Sequence, residues 1–157
     1  MDSVTINWQK GVIRFADLET SLNDYLDGSG FYAVVAGKYD QQTRNYTEIR
    51  LLYIGQAFDQ TLRERIPQPH DAYTCVNQYL KNHPGTTPLA MLGAIANASV
   101  ERITEQFVDD TECCLIFSNQ PSCNTSCKDS YGGRSIRITN TGDFWPLKET
   151  CSCGDVP

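Results

Sequence analysis

Seven cysteines, two histidines and a set of carboxylates, arginines and tyrosines are the residues of this 157-residue chain that can do chemistry. Cys123-x-x-x-Cys127 and Cys151-x-Cys153 together offer four thiolates, the donor set of a structural zinc, though the spacings are not those of a common knuckle or ribbon. Cys75, Cys113 and Cys114 fall on helical patterns and read as small buried hydrophobes. Among the oxygen and nitrogen groups, a carboxylate such as Glu112 can hold a hard divalent cation that keeps several of its waters. A guanidinium such as Arg65 meets a phosphate through a planar fork of donors. His70 is a lone loop imidazole, as often structural as functional. Tyr32 and Tyr53, at an ordinary pKa of about 10, are poor bases at neutral pH unless a cation such as Lys38 or a bound metal assists them.

These residues have to be positioned by elements that the apolar pattern marks out. Val4, Ile6 and Trp8 alternate with polar residues, and Val12, Ile13 and Phe15 follow Gly11, which predicts a short N-terminal hairpin. Leu18, Leu22, Tyr25 and Leu26 mark one face of a helix between an Asp17 cap and Gly28. Gly30 to Val35 and Leu51 to Gly55, separated by a polar segment, read as two strands of a hairpin. Phe58, Leu62 and Ile66 then recur at helical spacing behind an Asp59 cap, and Pro67 stops the turn. Asp71 caps a second helix that ends at His83-Pro84-Gly85.

The run Leu89 to Ala96 reads as a buried strand, with a buried helix left open by period alone. Thr104 is a good N-cap for the next helix, with Glu105 in its first turn and Ile103 and Val108 placed as a hydrophobic staple. Phe107, Val108, Thr111, Cys114, Leu115 and Ser118 make its buried face, and Glu112 lies at the margin of that face. Pro121 ends the helix, Ser135 to Thr139 is a last short strand, and the tail from Cys151 shows no apolar period.

Gly30-Phe31-Tyr32, then Tyr53-Ile54-Gly55, then Leu62-Arg63-Glu64-Arg65 resembles the opening of the GIY-YIG nuclease family, with Phe in place of the first Ile. Glu112, followed by Leu115-Ile116, Pro121 and Asn124, is similar to the second half of that pattern. The resemblance implies a metal-dependent endonuclease that hydrolyses DNA phosphodiester bonds. On that likeness Glu112 holds Mg²⁺ or Mn²⁺, Arg65 rather than Arg63 faces the scissile phosphate, and Tyr32 or Tyr53 orients the attacking water. His70 matches a histidine that many members carry, and Asn124 is a weak further candidate for orienting Glu112 or a metal-bound water.

The implied fold is a mixed α/β domain of the α+β kind: a small central sheet with helices packed on its faces. One domain over residues 1–157 is expected, with a short N-terminal extension and a cysteine-containing C-terminal tail. The net charge of -6 excludes a strongly basic nucleic-acid binder and leaves only a local basic face for DNA. It also motivates a rival reading, a non-catalytic binding module on the same fold, while the cysteine pairs motivate another, a small zinc-stabilised interaction protein. No apolar run reaches the length of a membrane span, and the start Met1-Asp2-Ser3-Val4-Thr5 lacks the layout of a signal peptide. A cytoplasmic protein is the resulting expectation.

Overall fold

A computed structural model of the chain describes residues 1–154; the last three residues of the tail, 155–157, lie outside the described residues. Its centre is a seven-stranded sheet. The strands are β1 (Asp2–Trp8), β2 (Ile13–Arg14), β3 (Gly30–Asp40), β4 (Asn45–Ala57), β5 (Thr87–Ala98), β6 (Ile136–Gly142) and β7 (Thr150–Cys153). They lie in the order β4-β3-β5-β1-β6-β7, with β2 paired to β5. Every pairing is antiparallel except β1 with β6, which is parallel. Three α-helices complete the molecule: α1 (Leu62–Arg65), α2 (Asp71–Asn82) and α3 (Glu105–Asn119). The mixed α+β class expected from the pattern is therefore present, with a larger sheet than expected.

Alternation along the strands builds two apolar layers. On one face α3 sets Phe107, Cys114 and Leu115 against Ile6, Trp8, Phe31, Ala33, Met91 and Ile138, all buried. On the other, Leu62 of α1, Ile66 at its C-cap and Val76 of α2 cover Tyr32, Val34, Leu52, Ala90 and Leu92. Each buried Val, Leu, Ile, Phe or Met among them contributes about 1.5–3 kcal/mol when removed from water, so both faces are independently worth covering. β4 breaks the alternation. Val34 pairs with Tyr53 and Val35 with Leu51, leaving Leu52 as the extra residue of a bulge. Leu52 and Tyr53 consequently both pack on the α1/α2 layer, while Leu51 and Ile54 pack on the α3 layer.

Several expectations need correction. The N-terminal strands form no hairpin: β1 lies between β5 and β6, and β2 pairs with β5 alone. Residues 15–27 form two 3₁₀ turns instead of a helix, and Leu22 is 95% exposed. Asp17 caps nothing there; Asn23 accepts from the Tyr25 backbone N–H and starts the second turn. Thr61, not Asp59, caps α1 through a reciprocal capping box with Glu64. His70 occupies the N-cap of α2, placing Asp71 inside the helix. Thr104 caps α3 as expected. The tail pairs with β6 through β7.

The cysteines also behave differently. Cys75–Cys123, Cys113–Cys127 and Cys114–Cys153 are disulfides, and Cys151 is a buried free thiol. With Cys123, Cys127 and Cys153 bonded to three different partners, the four-thiolate zinc set is not assembled. Cys75, Cys113 and Cys114 are cross-linking residues, and Cys75 is exposed. Three disulfides are the pattern of an oxidising compartment and give the cytoplasmic expectation no support. Among the described residues, no helix is long and apolar enough to cross a membrane.

Candidate active site

β4 is an edge strand, and α1, α2 and α3 all contact it. The segment after α3 runs along its free side: Cys123 N–H donates to the Leu52 carbonyl at 2.7 Å. Asn124 continues the cover. Its Oδ1 accepts from Ile54 N–H at 2.9 Å and its Nδ2 donates to the Ile54 carbonyl at 3.0 Å. These bonds satisfy backbone groups that an edge strand otherwise leaves open.

A cleft of about 450 Å³ lies over this edge. Tyr53, Arg65, His70, Glu112 and Asn124 all line it, together with Ser122, Thr125 and Ser126. Each arrives on a different segment: Tyr53 from the β4 bulge, Arg65 from the end of α1, His70 from the cap of α2 and Glu112 from the middle of α3. Tyr32 does not reach the cleft. It lies fully buried beneath it, 6.1 Å between ring centroids from Tyr53. A Cβ at Gly55 would collide with the Tyr32 ring, which gives the glycine of Tyr-Ile-Gly a steric reason.

Arg65 and Arg63 separate cleanly. Arg63 is tied to Asp27 at 3.0 Å and donates to the Leu18 carbonyl at 2.8 Å, so it anchors the 3₁₀ region. Arg65 forms no ion pair among the described residues and faces the cleft. Lys38 is on the hairpin, exposed and paired with Glu48 at 3.6 Å; the cation acting on the tyrosines is Arg65.

Glu112 is half-buried, and its carboxylate accepts no hydrogen bond from the described residues. Burial, then the Asp109 charge one turn earlier, push its pKa up to about 7, while Arg65 pulls against them. Asp109 itself accepts from Gln56 at 2.9 Å. Burial lowers the His70 pKa, with Arg65 acting in the same direction, so the imidazole is neutral at pH 7. Its Nε2 is buried and unpartnered. Burial raises the pKa values of Tyr53 and Tyr32, and both hydroxyls stay protonated. The Tyr32 hydroxyl has no partner at bonding geometry, although it lies within electrostatic reach of Tyr53 and Tyr73.

Two contributors escaped the sequence reading. Tyr73 packs its ring 4.2 Å from that of His70, and its hydroxyl donates to the Ile66 carbonyl. The spacing Tyr73, Val76, Leu80 was the available signal, an i, i+3, i+7 stripe. Asp109 sits three residues before Glu112 and adds to the effect of burial in raising its pKa; no pattern singled it out.

Asn124 lines the cleft, yet both polar atoms of its amide serve Ile54. The geometry makes it a strand clamp rather than a cation ligand. Among the described residues no group of three or more His, Cys, Asp or Glu side chains could hold a metal ion, so any cation here rests on few protein ligands and its own waters. Comparison with known proteins returned no matching family model, no matching curated protein and no matching solved structure.

Proposed function

We propose that the cleft over β4 hydrolyses phosphodiester bonds of nucleic acid with a divalent cation held at Glu112, the chemistry that the GIY-YIG resemblance implies. One observation carries this: Tyr53, Arg65, His70 and Glu112, singled out by the resemblance and widely separated in the chain, line the same cleft. Glu112 fits a hard cation because it offers an unshared carboxylate at a polar rim, where one carboxylate and retained waters suit Mg²⁺ or Mn²⁺. When bound, such a cation neutralises charge on phosphate and leaving oxygen.

The remaining roles follow from charge state. Arg65, unpaired, holds a non-bridging phosphate oxygen and fixes the substrate's orientation. His70, neutral, lining the cleft and with an unpartnered Nε2, accepts the proton of the attacking water better than either tyrosine, whose raised pKa values keep them protonated. Tyr53 positions that water through its hydroxyl, and Tyr32 supports the Tyr53 ring from below. The three disulfides suit work in an oxidising compartment.

Purified protein is expected to nick supercoiled plasmid DNA with Mg²⁺ or Mn²⁺ and to stop when a chelator is added. Glu112→Ala should lower the rate about 100-fold or more, the usual scale for losing a charge-stabilising group. Wild type and Glu112→Ala cutting at equal rates would sink the proposal.

A further inference from the structure

The hairpin of β3 and β4 outruns the sheet. β3 is bonded to β5 only as far as Gly37 opposite Thr87. Beyond that point Lys38 pairs with Thr47, Tyr39 with Tyr46 and Asp40 with Asn45, with no third strand alongside among the described residues. An isolated two-stranded ribbon is marginal in water and gains little from its own contacts. This one nonetheless presents Tyr39, 52% exposed, edge-on to Tyr46 at 5.3 Å between centroids.

Its charge is as unusual for this molecule as its exposure. Residues 38–50 hold three cations, Lys38, Arg44 and Arg50, against two carboxylates, Asp40 and Glu48, in a chain of net charge -6, and Glu48 is taken up by Lys38 at 3.6 Å. Arg44 stands at the tip and Arg50 along β4, both exposed and neither in an ion pair among the described residues. Arg50 donates to the Ser122 hydroxyl at 3.3 Å, and Ser122 lines the cleft. Unpaired guanidinium groups therefore run from the ribbon tip to Arg65 in the cleft.

We infer that the 38–47 ribbon is a duplex DNA docking arm, lying in a groove beside the bond presented to the cleft; this rests on the proposed phosphodiesterase function. The major groove admits a two-stranded β-ribbon, and arginines flanking it meet the phosphates. Tyr53 lies seven steps along β4 from Tyr46, about 23 Å at the rise of a strand. That is about seven base pairs of duplex at 3.4 Å per phosphate along one strand. The arm thereby gives an acidic protein a local, directional grip on a polyanion.

The test uses the full chain and two substrates. Binding of a 30-base-pair duplex is measured by fluorescence anisotropy on Glu112→Gln, with and without Arg44→Gln and Arg50→Gln, over a salt series. Cleavage of plasmid and of bis(p-nitrophenyl) phosphate, too small to reach the ribbon, is measured on the same arginine variants with Glu112 intact. Expected are a loss of duplex affinity of about 10-fold, a salt slope shallower by about two, and unchanged hydrolysis of the small ester. Adding Tyr39→Ala should weaken duplex binding further while circular dichroism stays unchanged. Unaltered affinity and slope in the arginine variants, or tighter binding of single strands than of duplex, overturns the docking arm. Duplex binding through the ribbon with neither substrate hydrolysed by wild type leaves the arm standing and removes the phosphodiesterase reading instead.

Discussion

Glu112 shows how a single side chain can be a cost to the fold and an asset to the site. Its folded-state pKa of about 7 stands above the ordinary 4.5, so the folded protein binds the proton more tightly than the unfolded chain does. The stability contributed by the neutral form is complete below about pH 4.5 and is lost as pH rises through 7. At pH 8 the buried negative charge, facing Asp109, therefore destabilises the protein, by about 2 kcal/mol after allowance for its partial exposure. Glu112→Gln should recover that amount at pH 8 in the presence of chelator and nothing at pH 4, as read from urea midpoints at the two pH values. A variant equally stable to wild type at both pH values would show that the carboxylate is not strained. The same ionisation governs cation binding, since only the charged form attracts a metal. If Glu112 holds the cation as proposed, cleavage is expected to climb between pH 6 and 8, overlapping only the upper part of the range, about pH 4.5 to 7, over which the apo fold loses stability.

At the scale of elements, the decisive one is the edge strand β4. Its bulge turns Tyr53 toward the cleft, and Asn124 closes its open side through the Ile54 N–H and carbonyl. Asn124→Ala leaves two buried backbone groups without partners and should cost about 3 kcal/mol, measured as a lower urea midpoint with an unchanged slope. Asn124→Asp should cost as much, because its second oxygen would face the Ile54 carbonyl; a cation-ligand role would instead tolerate aspartate. Much of this element-level arrangement was legible in the sequence. The β3/β4 hairpin and the Thr104 cap of α3 are local signals, carried by alternation and by one hydroxyl on a backbone N–H. The parallel pairing of β1 with β6 joins Asp2 to Ile136, and nothing in either strand encodes so distant a neighbour. Residues 15–27 misled for a different reason. Leu18, Leu22, Tyr25 and Leu26 have helical spacing, yet the Asn23 side chain bonds the backbone two residues on and substitutes a turn for the helix. Disulfide partners were unreadable too, since six cysteines alone allow 15 connectivities.

For the whole molecule, the cleft lies where two separately packed faces meet across an edge, and covalent links compensate for a contact that packing alone makes thinly. Cys75–Cys123 joins α2 on one face to the segment beside Asn124, and both cysteines line the cleft. Cys113–Cys127 fixes α3 next to Glu112, and Cys114–Cys153 fixes the same helix to β7 on the far side of the sheet. Removing the first bridge with Cys75→Ser and Cys123→Ser should cost about 2–4 kcal/mol, and it acts on the cleft directly because α2 carries His70 at its cap. Removing the third with Cys114→Ser and Cys153→Ser should cost a comparable amount of stability while leaving the cleft walls joined. Nicking rate compared at equal fraction folded separates the two: a marked loss is expected only for the Cys75/Cys123 pair. Thiol titration in denaturant supplies the control, with one reactive thiol, Cys151, in the untreated protein and seven after reduction. Seven thiols without reductant would mean that the faces are not stapled, and the loss of activity on reduction would then have to vanish. If the staples are present, a reducing environment loosens the same wall that carries His70 into the cleft, and on the proposed function nicking should then fall together with that one bond.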